Sequence, residues 1–460
     1  MKTILFCCTL FIIACKDDDQ SVEPEQPTEL QNAVVALTDA ADLDTLLKEI
    51  GDSRFVLLGE ASHGTSEFYE WRAEISRQLI TEKGFNVIAV EGDWPDLYRF
   101  NSYINGSDAH GSSAEDVLAQ MDRWPTWMWA NEEVASFGEW LRANNESSMA
   151  RSVSFYGIDV YSLWDSMEEV LDYLEEVDPP SAEDARTAIK CFGTFNGGDE
   201  FAYAQEKTSG SIDCADELEV LLATVQDIAG ARGDDAALNA LQNADIALNA
   251  EKYYVTALRN SSESWNIRDR HMMETVNRIT EHHGDNSKVI IWAHNTHVGD
   301  ARATDMARDG MVNIGQLIRE QHAESGVHIT GFGTYSGSVV ASDAWGAEAE
   351  SMRVPDAQPN SWESMLHGAS PGDKIVFLTA LKDNEQYNAS IGHRAIGVVY
   401  DPENERGNYV PSVLPDRYDT FIFIDETEAL SPLLNTTGRV MPITGAIRPR
   451  FVIGRLATWY

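Results

Sequence analysis

The sequence predicts an α/β fold built on a mostly parallel central sheet, and two observations lead to this fold class. First, short and almost wholly apolar runs occur, of the kind expected for parallel strands buried on both faces of a sheet. Second, intervening stretches have helical spacing, as in 65–83, where Phe68, Trp71, Ile75 and Leu79 recur at helical intervals. The five predicted strands are residues 54–59, 85–91, 153–159, 288–294 and 327–333.

The first 15 residues have the features of a bacterial lipoprotein signal peptide. Lys2 supplies the positive end, and the apolar run 4–14 has the length of a signal-peptide core, too short to span a membrane. The segment ending in Cys15 resembles a lipobox, in which the cysteine is lipidated; an ordinary signal peptide with a chance cysteine is the alternative. Residues 16–19 resemble a signal for the outer cell surface. We therefore expect an exported protein that is lipid-anchored to the outer membrane, on its periplasmic or its exterior side.

The composition limits the partners of the protein. The 460 residues include 34 Lys and Arg against 75 Asp and Glu, a net charge of −41, and 43% are hydrophobic. Nucleic acid and anionic membrane surfaces repel such a chain, so we expect no nucleic-acid partner and membrane contact only through the lipid on Cys15. Residues 16–31 are acidic and contain Pro24 and Pro27, which predicts a disordered tether. The catalytic domain is predicted to span residues 32–460.

A long helical stretch, residues 163–283, separates the third predicted strand from the fourth. We interpret it as a helical insertion that covers the carboxyl-terminal edge of the strands. It contains Cys191 and Cys214, and two cysteines in an exported protein favour a disulfide, with two independent thiols as the alternative. Short strands are also predicted at 374–378, 395–400 and 420–424.

Ionisable residues stand at or beside the ends of the first four predicted strands. They are Glu60, Glu91, Asp159 and His294. Reactive groups gather at the carboxyl ends of strands in open α/β sheets, so we expect these four side chains in one polar cluster. The repeated pattern, more than any one of its members, predicts a functional site.

His63 is the candidate general base, because an imidazole titrates near neutral pH. Glu60 lies three residues before it and Glu91 ends the neighbouring strand; a carboxylate beside an imidazole fixes its tautomer and raises its basicity. Arg72, in the following helix, is expected to stabilise the charge that develops on a carbonyl oxygen. The alternatives are a structural turn histidine and a salt-bridging arginine.

His294 and His297 form an H-x-x-H pair after the fourth strand. The spacing can bind a metal ion, but helical zinc pairs stand at i and i+4 with a glutamate between them, and this sequence contains no such motif. We therefore favour a catalytic or positioning role without metal, with metal binding as the alternative. Ser370 fits G-x-S-x-G, but Pro371 lacks the N–H that must bind the oxyanion, so we exclude a serine nucleophile there.

The segment 123–129 is dense in aromatic side chains. Trp124 and Trp127 are expected to form an apolar wall for a bulky ligand, and core packing is the alternative. We place Asp159, at the end of the third strand, among the substrate-binding residues.

Several long motifs resemble the erythromycin esterase family. They are Gly59-Glu60-Ala61-Ser62-His63-Gly64-Thr65-Ser66-Glu67-Phe68 with Arg72, Glu91-Gly92-Asp93-Trp94-Pro95, Arg123-Trp124-Pro125, Tyr156-Gly157-Ile158-Asp159, Arg268-Asp269 and Trp292-Ala293-His294-Asn295-Thr296-His297. With their surroundings they run in order from about Asp42 to Trp345, most of the chain after the leader. The resemblance implies a three-layer α/β fold with a helical cover and a deep cleft. It also implies hydrolysis of a macrolide lactone by activated water, with no metal or other cofactor.

The same resemblance assigns roles to particular residues. It assigns the general base to His63, the supporting acids to Glu60 and Glu91, and the arginine to Arg72. The family's second-site histidines fall on His294 and His297, and the pair Cys191 and Cys214 resembles a pattern found in many members. The lipoprotein leader departs from the drug-inactivating members, so the substrate stays open between a macrolide and another ester.

Three hypotheses follow. The first is a metal-independent ester or lactone hydrolase, in which His63 deprotonates water and Arg72 and His294 bind the carbonyl oxygen. The second is a metal-dependent hydrolase with His63, Glu60, Glu91 and His294 as ligands. The third is a non-enzymatic surface lipoprotein that binds haem or iron.

Overall fold

A computed structural model describes residues 29–147, 152–195 and 199–433. The predicted signal peptide with Cys15, residues 16–28 of the predicted tether and residues 434–460 of the predicted domain lie outside these residues. Residues 29–31 were predicted as tether but belong to the first helix, where Leu30 packs into the core. The folded domain therefore begins before residue 32.

The strands are numbered in chain order. They are β1 Val34–Ala36, β2 Phe55–Leu58, β3 Val87–Val90, β4 Ser154–Gly157, β5 Val289–Trp292, β6 Val327–Ser342, β7 Ala349–Val354, β8 Lys374–Phe377, β9 Ile391–Arg394, β10 Tyr409–Ser412 and β11 Thr420–Thr427. The helices are α1 Glu29–Asn32, α2 Asp44–Ile50, α3 Ser66–Lys83, α4 Trp94–Ile104, α5 Ala114–Leu118, α6 Glu132–Ser147, α7 Leu163–Val177, α8 Ala182–Phe192, α9 Glu200–Ser209, α10 Ala215–Ala229, α11 Asp235–Ala257, α12 Ser261–His283, α13 Asn295–Val298, α14 Ile314–Gln321, α15 Trp362–Ala369 and α16 Leu414–Arg417.

One nine-stranded sheet forms the centre of the described chain. Its central strands run parallel in the order β11-β6-β2-β5-β3-β4. The strands β8 and β1 extend the sheet at one edge by antiparallel pairing, and β7 pairs antiparallel with the distal end of β6. We had predicted that Glu60 and Glu91 follow neighbouring strands. This prediction is wrong, because β5 lies between β2 and β3. The chain returns through the helical insertion into the middle of the sheet.

Helices cover both faces of this sheet, so the predicted three-layer α/β fold is confirmed. Successive residues of a strand point to opposite faces. Val56 and Leu58 pack on one face against α3, α4, α5 and α6, and Phe55 and Leu57 pack on the other against α12, α14 and α15. A strand with apolar residues on both faces forms only where helices bury both of them, which is the physical basis of the apolar runs.

The helical insertion has two parts. Helices α7 to α11 share a separate apolar core, and the predicted disulfide between Cys191 and Cys214 joins α8 to the start of α10. Helix α12 instead belongs to an outer layer of the sheet, where Met272 and Val276 pack. Its first half carries Arg268 and Asp269 over the strand ends.

Most predicted strands are confirmed, and one is wrong. Residues 395–400 are apolar, yet they form isolated bridges, Ile396 with Ser62 and Val399 with Ser342. This run is apolar because it packs between the turn after β2 and the strands β6 and β7, where Ile396 and Tyr400 share an apolar cluster with Val339 and Val354. None of the described helices is long and apolar enough to cross a membrane.

Candidate active site

The predicted polar cluster forms at the carboxyl ends of the parallel strands. There, a cleft of about 840 Å³, including the part open to solvent, lies between the strand ends and the loops above them. Six of the predicted site residues line it: His63, Glu91, Trp124, Asp159, His294 and His297. The strand-end pattern therefore located the cleft.

His63 is held by Glu60 in the turn between β2 and α3. The Nδ1 atom of His63 lies 2.9 Å from Oε1 of Glu60. Because a carboxylate only accepts hydrogen bonds, Nδ1 carries a proton, and in the neutral imidazole Nε2 keeps its lone pair. Within residues 29–147, 152–195 and 199–433, no other group bonds to Nε2. The unprotonated nitrogen is thus the one available to the cleft.

Two glycines make the turn tight enough to hold this pair. A Cβ on Gly59 would overlap the Oδ1 atom of Asn295, and one on Gly64 would overlap the carbonyl of Val340. The backbone N–H of Asn295 also donates to the carbonyl of Glu60 at 2.8 Å. Close backbone approach therefore fixes the turn from β2 against the turn from β5.

Arg72 lies behind Glu60 and not in the cleft. Its Nη2 atom is 2.7 Å from Oε2 of Glu60, and its side chain is fully buried. The guanidinium stacks on Tyr69 and Trp292, with Cζ 4.3 and 4.9 Å from the ring centroids. The expectation that Arg72 contacts a carbonyl oxygen does not fit this placement, because Glu60 and the two rings enclose the guanidinium.

His294 lies beside His63, with the two ring centroids 4.9 Å apart. Its Nδ1 atom accepts from the backbone N–H of Thr296 at 3.3 Å and lies 2.8 Å from the hydroxyl of the same residue. Burial and the neighbouring His63 lower the pKa of His294 well below its usual value. His294 is therefore neutral at physiological pH.

A second polar group, called the Glu91 cluster below, comprises Glu91, Asp159, Arg268, Asp269 and His297. Arg268 donates to Oε1 of Glu91 at 2.6 Å and to both oxygens of Asp159, at 2.9 and 2.7 Å. The Nδ1 atom of His297 lies 3.0 Å from each oxygen of Asp269, and its Nε2 atom lies 3.3 Å from Glu91. Every ionisable member is thus paired with an opposite charge in the cluster.

The pairing sets the charge states of this cluster. Burial alone lowers the pKa of His297, but Asp269 and Glu91 outweigh it and raise that pKa to about 9. Burial raises the pKa of Glu91, but His297 and Arg268 hold it well below its usual value. At neutral pH, His297 is therefore an imidazolium and Glu91 a carboxylate. The second oxygen of Glu91 accepts the backbone N–H of His294 at 2.8 Å, which connects the cluster to the residues near the base.

Asp159 lines the cleft, but Arg268 occupies both of its oxygens, and the N–H of Val160 donates to Oδ1 at 2.8 Å. These contacts make it an anchor for Arg268. Its hydrogen bonds therefore serve Arg268 and the backbone, and the role of Asp159 in binding substrate stays a prediction.

Aromatic side chains form one wall of the cleft. Trp124 lines it together with Trp345, at a centroid distance of 4.7 Å, and the indole N–H of Trp124 donates to the carbonyl of Ala347 at 3.0 Å. Trp127 was predicted to share this role, but it lies buried in the apolar core and does not line the cleft. Trp127 belongs to the short helical turn from Thr126 to Met128, whereas Trp124 precedes this turn.

The described residues contain no group of three or more His, Cys, Asp or Glu side chains arranged to hold a metal ion. The acids that could bind a metal ion at this site are already paired with cationic side chains. Arg268 and His297 already neutralise Glu91, and Arg72 neutralises Glu60. The G-x-S-x-G match that we excluded also lies outside the cleft, because Ser370 follows the end of α15 and does not line the cleft.

Sequence patterns gave no role to several residues of this site, among them Arg268, Asp269, Trp345 and Val398. Arg268 and Asp269 were noted in a motif without a role, because no strand end marks a position inside a helix. Trp345 and Val398 line the cleft from loops. The apolar run that contains Val398 was the available signal, and it was interpreted as a strand.

Comparisons with known proteins agree with this fold. A family model described as erythromycin esterase matches residues 80–427. Erythromycin esterase type II of Escherichia coli is 22% identical over 371 residues, which cover 75% of this chain and 85% of that protein. A crystal structure described as a succinoglycan biosynthesis protein has a TM-score of 0.70 at 20% identity, covering 88% of this chain and 97% of that one. A solved erythromycin esterase mutant in its open conformation has a TM-score of 0.60 at 16% identity, covering 85% and 95%.

The fold defines an α/β protein with a cluster of ionisable residues at the carboxyl ends of its parallel strands. The chain belongs to the erythromycin esterase family, whose model spans most of it. Membership supports hydrolysis as the class of reaction, whereas the low identity to each relative leaves the substrate open.

Proposed function

We propose that this protein hydrolyses an ester or a macrolide lactone with a water molecule that His63 activates. The observation that carries the proposal is the pair of His63 and Glu60, 2.9 Å apart, in which Nε2 stays available to the cleft. A neutral imidazole with one nitrogen held by a carboxylate and the other directed at a cleft is suited to general base catalysis.

The reaction proceeds in two proton transfers. The Nε2 atom of His63 takes a proton from water as the oxygen attacks the carbonyl carbon, which forms a tetrahedral intermediate with a negative oxygen. The intermediate then breaks its bond to the alcohol oxygen, and the imidazolium returns the proton to that oxygen. An ester gives an acid and an alcohol, whereas a lactone gives one hydroxy acid that has gained one water.

Glu60 stabilises the imidazolium that forms in the first step, and Arg72 holds Glu60. We assign Arg72 as a positioning residue, since its guanidinium reaches Glu60 from the buried side at 2.7 Å. A carboxylate fixed on both oxygens orients the imidazole better than one that rotates.

We assign the stabilisation of the oxyanion to His297 and Arg268, the cationic members of the Glu91 cluster, both of which line the cleft. Fixed charges next to a cleft stabilise a developing negative charge without reorganising. His294 remains beside His63 as a neutral partner, so it does not oppose the positive charge that His63 acquires.

The lining of the cleft supports a substrate with a large apolar surface. The wall of Trp124 and Trp345 suits a large ring or an extended ester. Similarity to an erythromycin esterase favours a macrolide lactone, and inactivation of such an antibiotic is the biological role we propose. The lipid anchor on Cys15 remains a prediction that would place this hydrolase at the outer membrane.

The test is mass spectrometry of a panel of macrolides and simple esters after incubation with the wild type and with His63→Asn. Conversion of a macrolide to a product one water heavier, or of a simple ester to its acid and alcohol, supports the proposal if it is lost in the variant. Activity that disappears on chelation and returns with added metal would instead support the metal-dependent hydrolase. Haem binding in a spectral titration, with no turnover of any panel member, would support the haem-binding lipoprotein.

A further inference from the structure

Tyr161 lies in the loop between β4 and α7 and lines the cleft. Its ring contacts two guanidinium groups, with the Cζ atoms of Arg123 and Arg268 at 5.0 and 4.8 Å from the ring centroid. Attraction between a cation and an aromatic face strengthens as water is excluded. Arg268 is buried, whereas Tyr161 and Arg123 are partly buried.

Both guanidinium groups are bound to acids that follow strands. Arg123 binds both oxygens of Asp93, which follows β3, and Arg268 binds Asp159 and Glu91. An acid fixes one side of each guanidinium, and the ring supports each group without adding charge.

The insertion holds Tyr161 in this position. The hydroxyl of Tyr254, on α11, donates to the carbonyl of Tyr161 at 3.1 Å. The ring of Tyr253 meets the ring of Tyr161 edge-on at 5.1 Å, and their hydroxyls are 3.4 Å apart. Helix α11 thereby sets the position of a ring on which Arg268 rests.

Arg268 connects Tyr161 to the residues near the base, which it reaches through a chain of hydrogen bonds. It holds Glu91, which accepts the backbone N–H of His294, the neighbour of His63. We propose that Tyr161 is a positioning residue for the hydrolytic site. Through the contact between the Tyr161 ring and Arg268, the helical insertion influences the rate of catalysis. This inference rests on the proposed function, since it assigns a role in the same reaction.

The competing interpretation is that Tyr161 only packs against the core of the insertion, beside which it lies. Three variants separate the two. Tyr161→Phe keeps the ring and removes the hydroxyl, and Tyr161→Leu removes the ring. Tyr103→Leu is the matched control, because Tyr103 is buried and its ring contacts Arg142 at 4.5 Å but does not line the cleft.

For an ester that the wild type hydrolyses, we expect Tyr161→Leu to lower kcat by about tenfold with KM nearly unchanged. Tyr161→Phe should retain kcat within about twofold, because the aromatic face persists. Tyr103→Leu should lower the melting temperature without changing kcat. Equal kcat values in Tyr161→Leu and Tyr161→Phe, whether both normal or both low, would overturn the proposal.

A second readout does not depend on turnover. The titration of His297 can be followed by NMR of its ring carbon-bound protons, assigned with His297→Asn. Asp269, Glu91 and Arg268 face this imidazole, and Arg268 opposes its protonation. If loss of the Tyr161 ring displaces Arg268, the titration midpoint of His297 rises in Tyr161→Leu and not in Tyr161→Phe. An unchanged midpoint in Tyr161→Leu contradicts the inference. A wild type without turnover of any ester contradicts the proposed function alone.

Discussion

The two polar groups at the strand ends differ in how completely their charges are paired. In the Glu91 cluster, each acid meets Arg268 or a cationic histidine, and each cation meets at least one acid. Around His63, one carboxylate is held between an arginine and one imidazole nitrogen, and the other nitrogen has no partner in the part of the chain that the structure describes. A saturated group holds its charges fixed beside the cleft, whereas the incomplete group leaves a nitrogen available to accept a proton. Proximity to the cleft alone does not distinguish them.

The largest effect on activity besides removal of His63 itself is expected at Glu60. Glu60→Gln preserves the shape of the side chain but cannot fix Nδ1–H or stabilise the imidazolium, so kcat should fall by about 10²- to 10³-fold. Steady-state kinetics on the substrate found with the panel measures this. Glu67→Gln is the control, because Glu67 binds the backbone N–H of Glu428 and does not line the cleft. A kcat within threefold of wild type would remove Glu60 from the mechanism.

The next effect concerns stability and lies in the Glu91 cluster. Arg268→Met leaves Glu91 and Asp159 buried without their common cation, so the free energy of unfolding should fall by about 3–5 kcal/mol. Urea unfolding followed by circular dichroism provides the value. In the control Arg186→Met, the lost ion pairs are exposed, and the change should stay below about 1 kcal/mol. Equal effects of the two substitutions would show that the cluster is not the saturated structure described above.

A pH dependence follows from His297. Its pKa in the fold is raised to about 9, so its contribution to stability is complete below its ordinary pKa and is lost as the pH rises through 9. The stability advantage of the wild type over His297→Gln should therefore shrink by about 3 kcal/mol between pH 6.5 and 9. Urea unfolding of both proteins across this range checks it. A constant difference at all pH values would mean that His297 is not cationic in the fold.

The smallest expected effect separates the two tryptophans. Trp124→Ala removes part of the cleft wall and should raise KM by about tenfold with little change in kcat, since wall contacts serve the ground state and transition state alike. Trp127→Phe should lower the melting temperature and leave KM unchanged, because Trp127 packs in the core. Kinetics and thermal melts of both variants give the comparison, and a larger rise of KM in Trp127→Phe would reverse our assignment.

The sequence predicted the β-sheet and the strand-end cluster because buried parallel strands leave a strong apolar signal, and the polar residues after them stand out. Glu60, Glu91, Asp159 and His294 were found in this way. The same signal failed at 395–400, where an apolar run packs along the site outside the sheet. Apolar character records burial and does not by itself identify a strand.

The orientation of a side chain could not be predicted from the sequence. Arg72 follows His63 closely enough to reach either the cleft or the buried side of Glu60, and only packing on Tyr69 and Trp292 decides between them. Arg268 could not be assigned because its partners, Glu91 and Asp159, are far from it in the chain. Long-range ion pairs of this kind have no local pattern.

The central claim is that His63 acts directly on water, and the kcat of His63→Asn tests it most directly. Asparagine keeps a polar side chain beside Glu60 but cannot accept a proton from water, so we expect kcat to fall by about 10³-fold or more while the melting temperature stays within a few degrees of wild type. A folded variant that retains more than a tenth of the wild-type kcat would contradict the account.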